Sequence, residues 1–160
     1  ALRQVAPLPF CSEGHGEDLS DAGARPPPSS RRQLRALEGG VELNRGLLGG
    51  VAVHVEELDF GRPRDLGRVV AARGPFDLVL GSDITYNRLG HDQLARCLSR
   101  LHALHGPAPP AVWLAHHRRF PGDLGSLSEA LRRAGLTSAA LHEAGEVVIL
   151  GVRPGGAAEK

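Results

Sequence analysis

The chain has 160 residues, 41% of them hydrophobic and 23% charged, with 19 basic side chains against 18 acidic ones. That length and balance describe one globular domain with a real core. A net charge of +1 gives no electrostatic case for nucleic acid or an anionic membrane surface, and no apolar run reaches the length of a membrane-spanning helix.

Cys11 and Cys97 are too few and too far apart for a disulfide framework, so reduced thiols and a cytoplasmic or nuclear location are expected. The chain contains no methionine and begins at Ala1, which suggests a fragment or an unusual gene product, with initiator removal before alanine as the alternative.

Residues 1–30 are rich in Gly, Pro, Ser and acidic side chains and include the triple proline Pro26 to Pro28. Such a segment cannot bury enough apolar surface to offset its ordering entropy, and it is predicted to be a disordered tail. Ser30 to Gln33 has the spacing of a capping box, and Leu34, Leu37 and Val41 then recur on one helical face. Gly39 and Gly40 interrupt that predicted helix, at a combined cost of roughly 2 kcal/mol relative to alanine. After a loop, "NRGLLGG", the alternation of Val51, Val53 and Val55 in "VAVHVEEL" predicts a strand over 51–58.

The next segment, "DFGRPRDLGRVVAARG", reads as a connector with room for a short helix. "FDLVLGS", residues 76–82, is an unbroken apolar run, as in a parallel-sheet strand covered on both faces. Leu94, Cys97, Leu98, Leu101 and Leu104 then form a helical stripe that starts near His91 and stops at "GPAPP". "AVWLAHH", residues 111–117, predicts another buried strand, with Trp113 in the core. A second capping box at Ser126 to Glu129 opens a helix with Leu127, Ala130, Leu131 and Ala134 on its apolar face and Gly135 as its terminal glycine. "TSAALHEA" and "EVVILGVR" predict two strands joined near Gly145, before a disordered tail at 154–160.

Helices alternating with apolar strands predict an α/β layered sheet that ends in an antiparallel pair. In such sheets ligands bind beyond the carboxyl ends of the strands. Ser82 and Asp83 fall at that rim, and "ELDFG" brings Asp59 and Phe60 to the corresponding place after the 51–55 strand. Spacing alone leaves a second reading open, in which Asp83 caps the following helix or supports a turn and Phe60 is a core residue.

"ELDFG", followed by "FDLVLGSDITYN" and a leucine-rich helix, resembles the lysine-methyltransferase branch of the seven-strand S-adenosylmethionine-dependent methyltransferases. In that branch an aromatic motif follows the third strand, and the fourth ends in a small residue followed by Asp-x-x-Tyr. "ALEGGVELN" is similar to the helix before strand three, and the likeness runs from roughly residue 33 to 153. It implies an incomplete Rossmann-like seven-strand sheet, strands 3 to 7 with flanking helices, over residues 31–153. It also implies S-adenosylmethionine as cofactor and a protein substrate carrying the acceptor lysine. Phe60 would stack on adenine with Asp59 beside it, and Ser82 would be the small residue against the cofactor. Asp83 and Tyr86 would be the catalytic pair beside the substrate channel.

The chain departs from that pattern at its start. The family's glycine-rich loop after strand one and the acidic end of strand two have no counterpart, the nearest text being "SEGHGED" at 12–18. Strands one and two lie at the centre of the family's order, 3-2-1-4-5-7-6. The resemblance therefore implies a truncated or variant enzyme that is weakly active or inactive alone, with cofactor binding by this chain in doubt. Folding is expected to be poor, or confined to residues from about 74 onward. The alternative function is a non-catalytic remnant that acts as a protein-interaction module.

Eight histidines raise the question of a metal, yet none is expected. His116 and His117 end a strand and point to opposite faces, and His102 and His105 are more simply favourable charges at a helix C-terminus. "HHRRF", residues 116–120, is a solvated basic loop or a grip for an acidic stretch of a protein substrate.

Overall fold

The computed structural model describes residues 28–156, with side chains described from Arg31 onward. It divides into two compact units, one ending at Glu57 and one that contains the chain from Leu58 onward.

In the first unit, α1 (Pro28–Leu43) is followed by turns over 44–50 and by residues 51–57 without regular structure. The helix starts before the predicted capping box and runs through Gly39 and Gly40 instead of breaking there. Neither glycine has an atom within 4 Å of the place a Cβ would occupy, so their cost to the helix is entropic and not steric. The Asn44 side-chain amide donates to the Gly40 carbonyl at 2.8 Å and closes the helix end. The predicted disorder of residues 1–27 and 157–160 lies outside the described residues, whereas Pro28 to Ser30 are helical and Pro154 belongs to a strand.

The predicted strand over 51–58 is not formed. A strand exists only where a neighbour takes its N–H and C=O groups, and the sheet of the described residues has four strands, none of them from this segment. The expected set of strands 3 to 7 is therefore corrected to four.

Those four build the second unit: β1 (Leu78–Ser82), β2 (Ala111–His117), β3 (Leu136–Ala144) and β4 (Val147–Pro154). Their order is β1-β2-β4-β3, with β1 and β2 parallel and the other pairs antiparallel. This order is compatible with part of the sheet expected above. The unit also contains α2 (Pro63–Arg73), α3 (His91–His105) and α4 (Asp123–Arg133). The compact unit thus begins at Leu58 and not near residue 74, because Leu58, Phe60, Leu66 and Val69 belong to its core.

Strand alternation decides which side chains enter that core. Val112, Leu114 and His116 of β2 and Val148, Leu150 and Val152 of β4 are buried, with Leu94, Leu98, Leu127 and Leu131 from α3 and α4. Each buried leucine contributes about 2 kcal/mol. The opposite face of the sheet is less covered: Trp113 is 45% exposed and Leu141 54%. Trp113 is therefore not core, and Leu78 and Leu80 are only half-buried. An apolar run in the sequence marks a strand without guaranteeing two covered faces.

α4 begins at Asp123, behind a left-handed Gly122 (φ 77°), so the predicted capping box at Ser126 lies inside the helix. Gly135 (φ 76°) ends it as predicted, and its N–H donates to the Arg132 carbonyl at 3.0 Å. Near the end of α3, the His105 ring bridges two elements: Nδ1–H donates to the Leu101 carbonyl and Nε2 accepts from Phe76 N–H, each at 2.9 Å. His102 is buried, and neither of its ring nitrogens makes a well-formed hydrogen bond. Burial lowers its pKa, partly offset by the nearby Pro110 carbonyl, so the helix-charge account does not hold for it.

The sign of the resulting pH effect follows. Below the unfolded-state value of 6.5 the unfolded chain takes up a proton that folded His102 resists, so stability is full above that pH and falls as pH drops through the lower, folded value. His102→Leu removes a buried polar group that makes no well-formed hydrogen bond and is expected to be neutral or stabilising at pH 7. Thermal melts between pH 7 and 5 should show a shallower acid loss in the variant than in the wild type.

Candidate active site at the carboxyl rim of the sheet

The parallel register pairs Ser82 with Ala115, so the loops that leave β1 and β2 emerge side by side. At the first step beyond β1 the chain turns sharply, because Asp83 adopts φ 56°. Aspartate tolerates this left-handed conformation better than most residues, at a cost of roughly 1 kcal/mol. Gly81 makes the turn fit: a Cβ there would lie 2.7 Å from Ile84 Cδ1 and 2.8 Å from Leu114 Cδ2. Ile84 thus folds back beneath the loop.

The loop is held from below by buried polar groups. Thr85, 2% exposed, donates its hydroxyl to His116 Nδ1 at 2.7 Å, and His116 Nε2 faces Asp123 Oδ1 at 3.3 Å. His91 Nε2–H donates to the Thr85 carbonyl at 2.9 Å, while its Nδ1 meets the Ser126 hydroxyl at 3.2 Å. Asp123 also takes the N–H groups of Arg119, Phe120 and Leu124 at 3.0, 3.2 and 2.7 Å. Burial acts to raise its carboxyl pKa, but the Phe120 and Arg119 N–H groups, the His116 ring and the Leu124 N–H outweigh it and bring the value down to about 2. His116 is therefore a brace under the rim and does not line it.

Above the brace, Asp83 and Tyr86 meet a third group, Arg119 of the basic loop after β2. The Arg119 guanidinium pairs through Nη2 with Asp83 Oδ1, and its carbon lies 5.9 Å from the centroid of the Tyr86 ring. Arg118 is committed elsewhere, to Glu143 at 2.9 Å. Asp83 does not cap α3, whose N-cap is Gly90 with no side-chain bond, and Asn87 accepts from Leu89 N at 3.0 Å in the 3-10 turn Arg88–Gly90 that leads into α3. The left-handed φ of Asp83 agrees with the turn-supporting half of that second reading. Ser82 is exposed at the same rim.

Asp59 and Phe60 stand apart from this cluster. The Phe60 ring, 6% exposed, lines a cavity of about 280 Å³ with Leu66 of α2 and Gln93, Cys97 and Arg100 of α3, and no residue of the Ser82–Tyr86 loop lines it. Asp59 accepts from Gly61 N at 2.8 Å and pairs with Arg62 at 3.4 Å. The residues present do not complete a pocket for S-adenosylmethionine: Phe60 is buried and faces only the cavity between α2 and α3, Asp59 is engaged locally, and β1 has no strand on its outer side among the described residues. No group of three or more His, Cys, Asp or Glu side chains among the described residues is arranged to hold a metal ion.

The profile of the lysine methyltransferase family matches residues 30–128, more than half of the chain. The chain belongs to that family. No curated protein matches it.

The brace makes a measurable claim. Asp123→Ala leaves three N–H groups and the His116 ring without their acceptor and is expected to cost about 2–3 kcal/mol in urea unfolding. Above 3.8 the native carboxylate contributes fully, and its contribution fades as pH falls toward the folded value of about 2. The variant should lack that part of the acid transition.

Proposed function

We propose that this chain carries the acceptor side of an S-adenosylmethionine-dependent protein-lysine N-methyltransferase, with weak or no activity on its own. The observation that carries the reading is the joint hold of Asp83 and Tyr86 on a cation at the carboxyl rim. A carboxylate and an aromatic face are together suited to a lysine side chain: the carboxylate holds the ammonium by a charge-assisted hydrogen bond, and the ring flanks the cation. Alignment of the amine is then the main catalytic contribution of these residues. Ser82, small and exposed, leaves room beside them for the cofactor. Phe60 and Asp59 complete the cofactor side of the proposal only if the turn between them and α2 opens, because Phe60 is buried and faces the cavity between α2 and α3. The substrate is a protein, and the setting is the cytoplasm or nucleus.

The covered ring and the open side of β1 favour a second reading, a non-catalytic family member that retains a protein-binding surface. Calorimetric titration with S-adenosylhomocysteine separates the two. Binding in the micromolar range supports the enzyme, with Ser82→Leu expected to abolish the heat while leaving the fold unchanged. No heat at millimolar ligand supports the non-catalytic reading.

A further inference from the structure

We propose that Arg119 is an internal stand-in for the acceptor, a latch that fills the Asp83–Tyr86 cradle until a lysine side chain displaces it. This rests on the reading of that pair as the acceptor site. The guanidinium and a lysine ammonium present the same chemistry to the cradle, a positive charge with N–H donors, and both seek one carboxylate and one ring. Arg119 touches both at once, so the two cations are mutually exclusive.

The anchoring of the latch is uneven, as a displaceable group requires. Its backbone is fixed, since its N–H donates to the buried Asp123 carboxylate at 3.0 Å. The neighbouring Arg118 N–H donates to the Glu146 carbonyl at 2.8 Å. Its head group is not fixed in the same way: the Arg119 side chain is 43% exposed and the Asp83 side chain 65%, so their pairing is made in water and is weak. The other cations of the rim do not compete for the cradle, because Arg118 is paired with Glu143 and Arg88 donates to the Pro121 carbonyl at 2.5 Å. Arg119 thus lowers affinity for any amine that lacks the contacts to displace it, and it keeps Asp83 compensated when no acceptor is bound.

The chain has one tyrosine, so its ring resonances report on the cradle without interference. The full chain is titrated with N-acetyl-lysine amide, and with the uncharged N-acetyl-norleucine amide as control, while the Tyr86 ring signals are followed by NMR. Arg119→Gln should respond to the lysine probe at a roughly tenfold lower concentration than the wild type, and Arg119→Lys at an intermediate one. Asp83→Asn should lose the response. A half-saturation for Arg119→Gln equal to or above that of the wild type, with Asp83→Asn still silent, overturns the latch and leaves the acceptor site standing. No lysine-dependent shift in the wild type or in Arg119→Gln means that the cradle takes no ammonium, and the acceptor reading falls together with the latch.

Discussion

The parallel ladder between Leu78–Ser82 and Ala111–Ala115 is the constraint on which the rest of this structure depends. It sets the carboxyl ends of two strands side by side, so that the loop after β1 and the loop after β2 share one rim. Without that register Asp83 and Arg119, 36 positions apart in sequence, would have no reason to meet. Among the described residues β1 pairs with one strand, β2, and its hold is supplemented from below. The Thr85–His116–Asp123 line and the His91–Ser126 pair tie the loop after β1 to β2, α3 and α4. A left-handed Asp83 above buried, hydrogen-bonded Thr85 is the pattern of a site whose local strain is borne by its surroundings.

The rim explains why family membership and an incomplete cofactor pocket coexist in one chain. The rim needs only the end of β1 and the loops beside it, and all of these are formed. On the proposed reading a cofactor side would need an uncovered aromatic face, whereas Phe60 is part of the core with Leu66 and Cys97. A ring with no better partner buries itself, since the gain from removing its apolar area from water is larger than any it would make at a solvent-facing edge.

Much of the second unit was legible in the sequence because its signals are local. The leucine spacing of α3, the seven residues of β2, the hairpin at Gly145 and the closing glycine of α4 each follow from periodicity or backbone conformation. The failures have a common cause in partners that lie far along the chain. Val51, Val53 and Val55 alternate like a strand, yet alternation cannot supply a neighbouring strand. Trp113 lies in an apolar run, but whether its face is covered depends on helices elsewhere. Asp123, and not Ser126, starts α4 because a left-handed Gly122 delivers the chain there. Asp83 and Tyr86 were visible as a motif, whereas Arg119 was not: a guanidinium in a basic loop looks solvated until the register brings a carboxylate opposite. His116 gave a faint signal, as a histidine at an inward-facing position of a strand that needs a polar partner.

Amide exchange along β1, measured residue by residue by NMR, tests the central ladder most directly. Asp77 C=O accepts from Ala111 N–H, so the odd-numbered residues of β1 direct their backbone groups to β2 and the even-numbered ones direct theirs outward. The account predicts slow exchange at Val79 and Gly81 and fast exchange at Leu78 and Leu80. Uniformly slow exchange across all four would contradict it, because it would require a second strand on the outer side of β1 and a different rim.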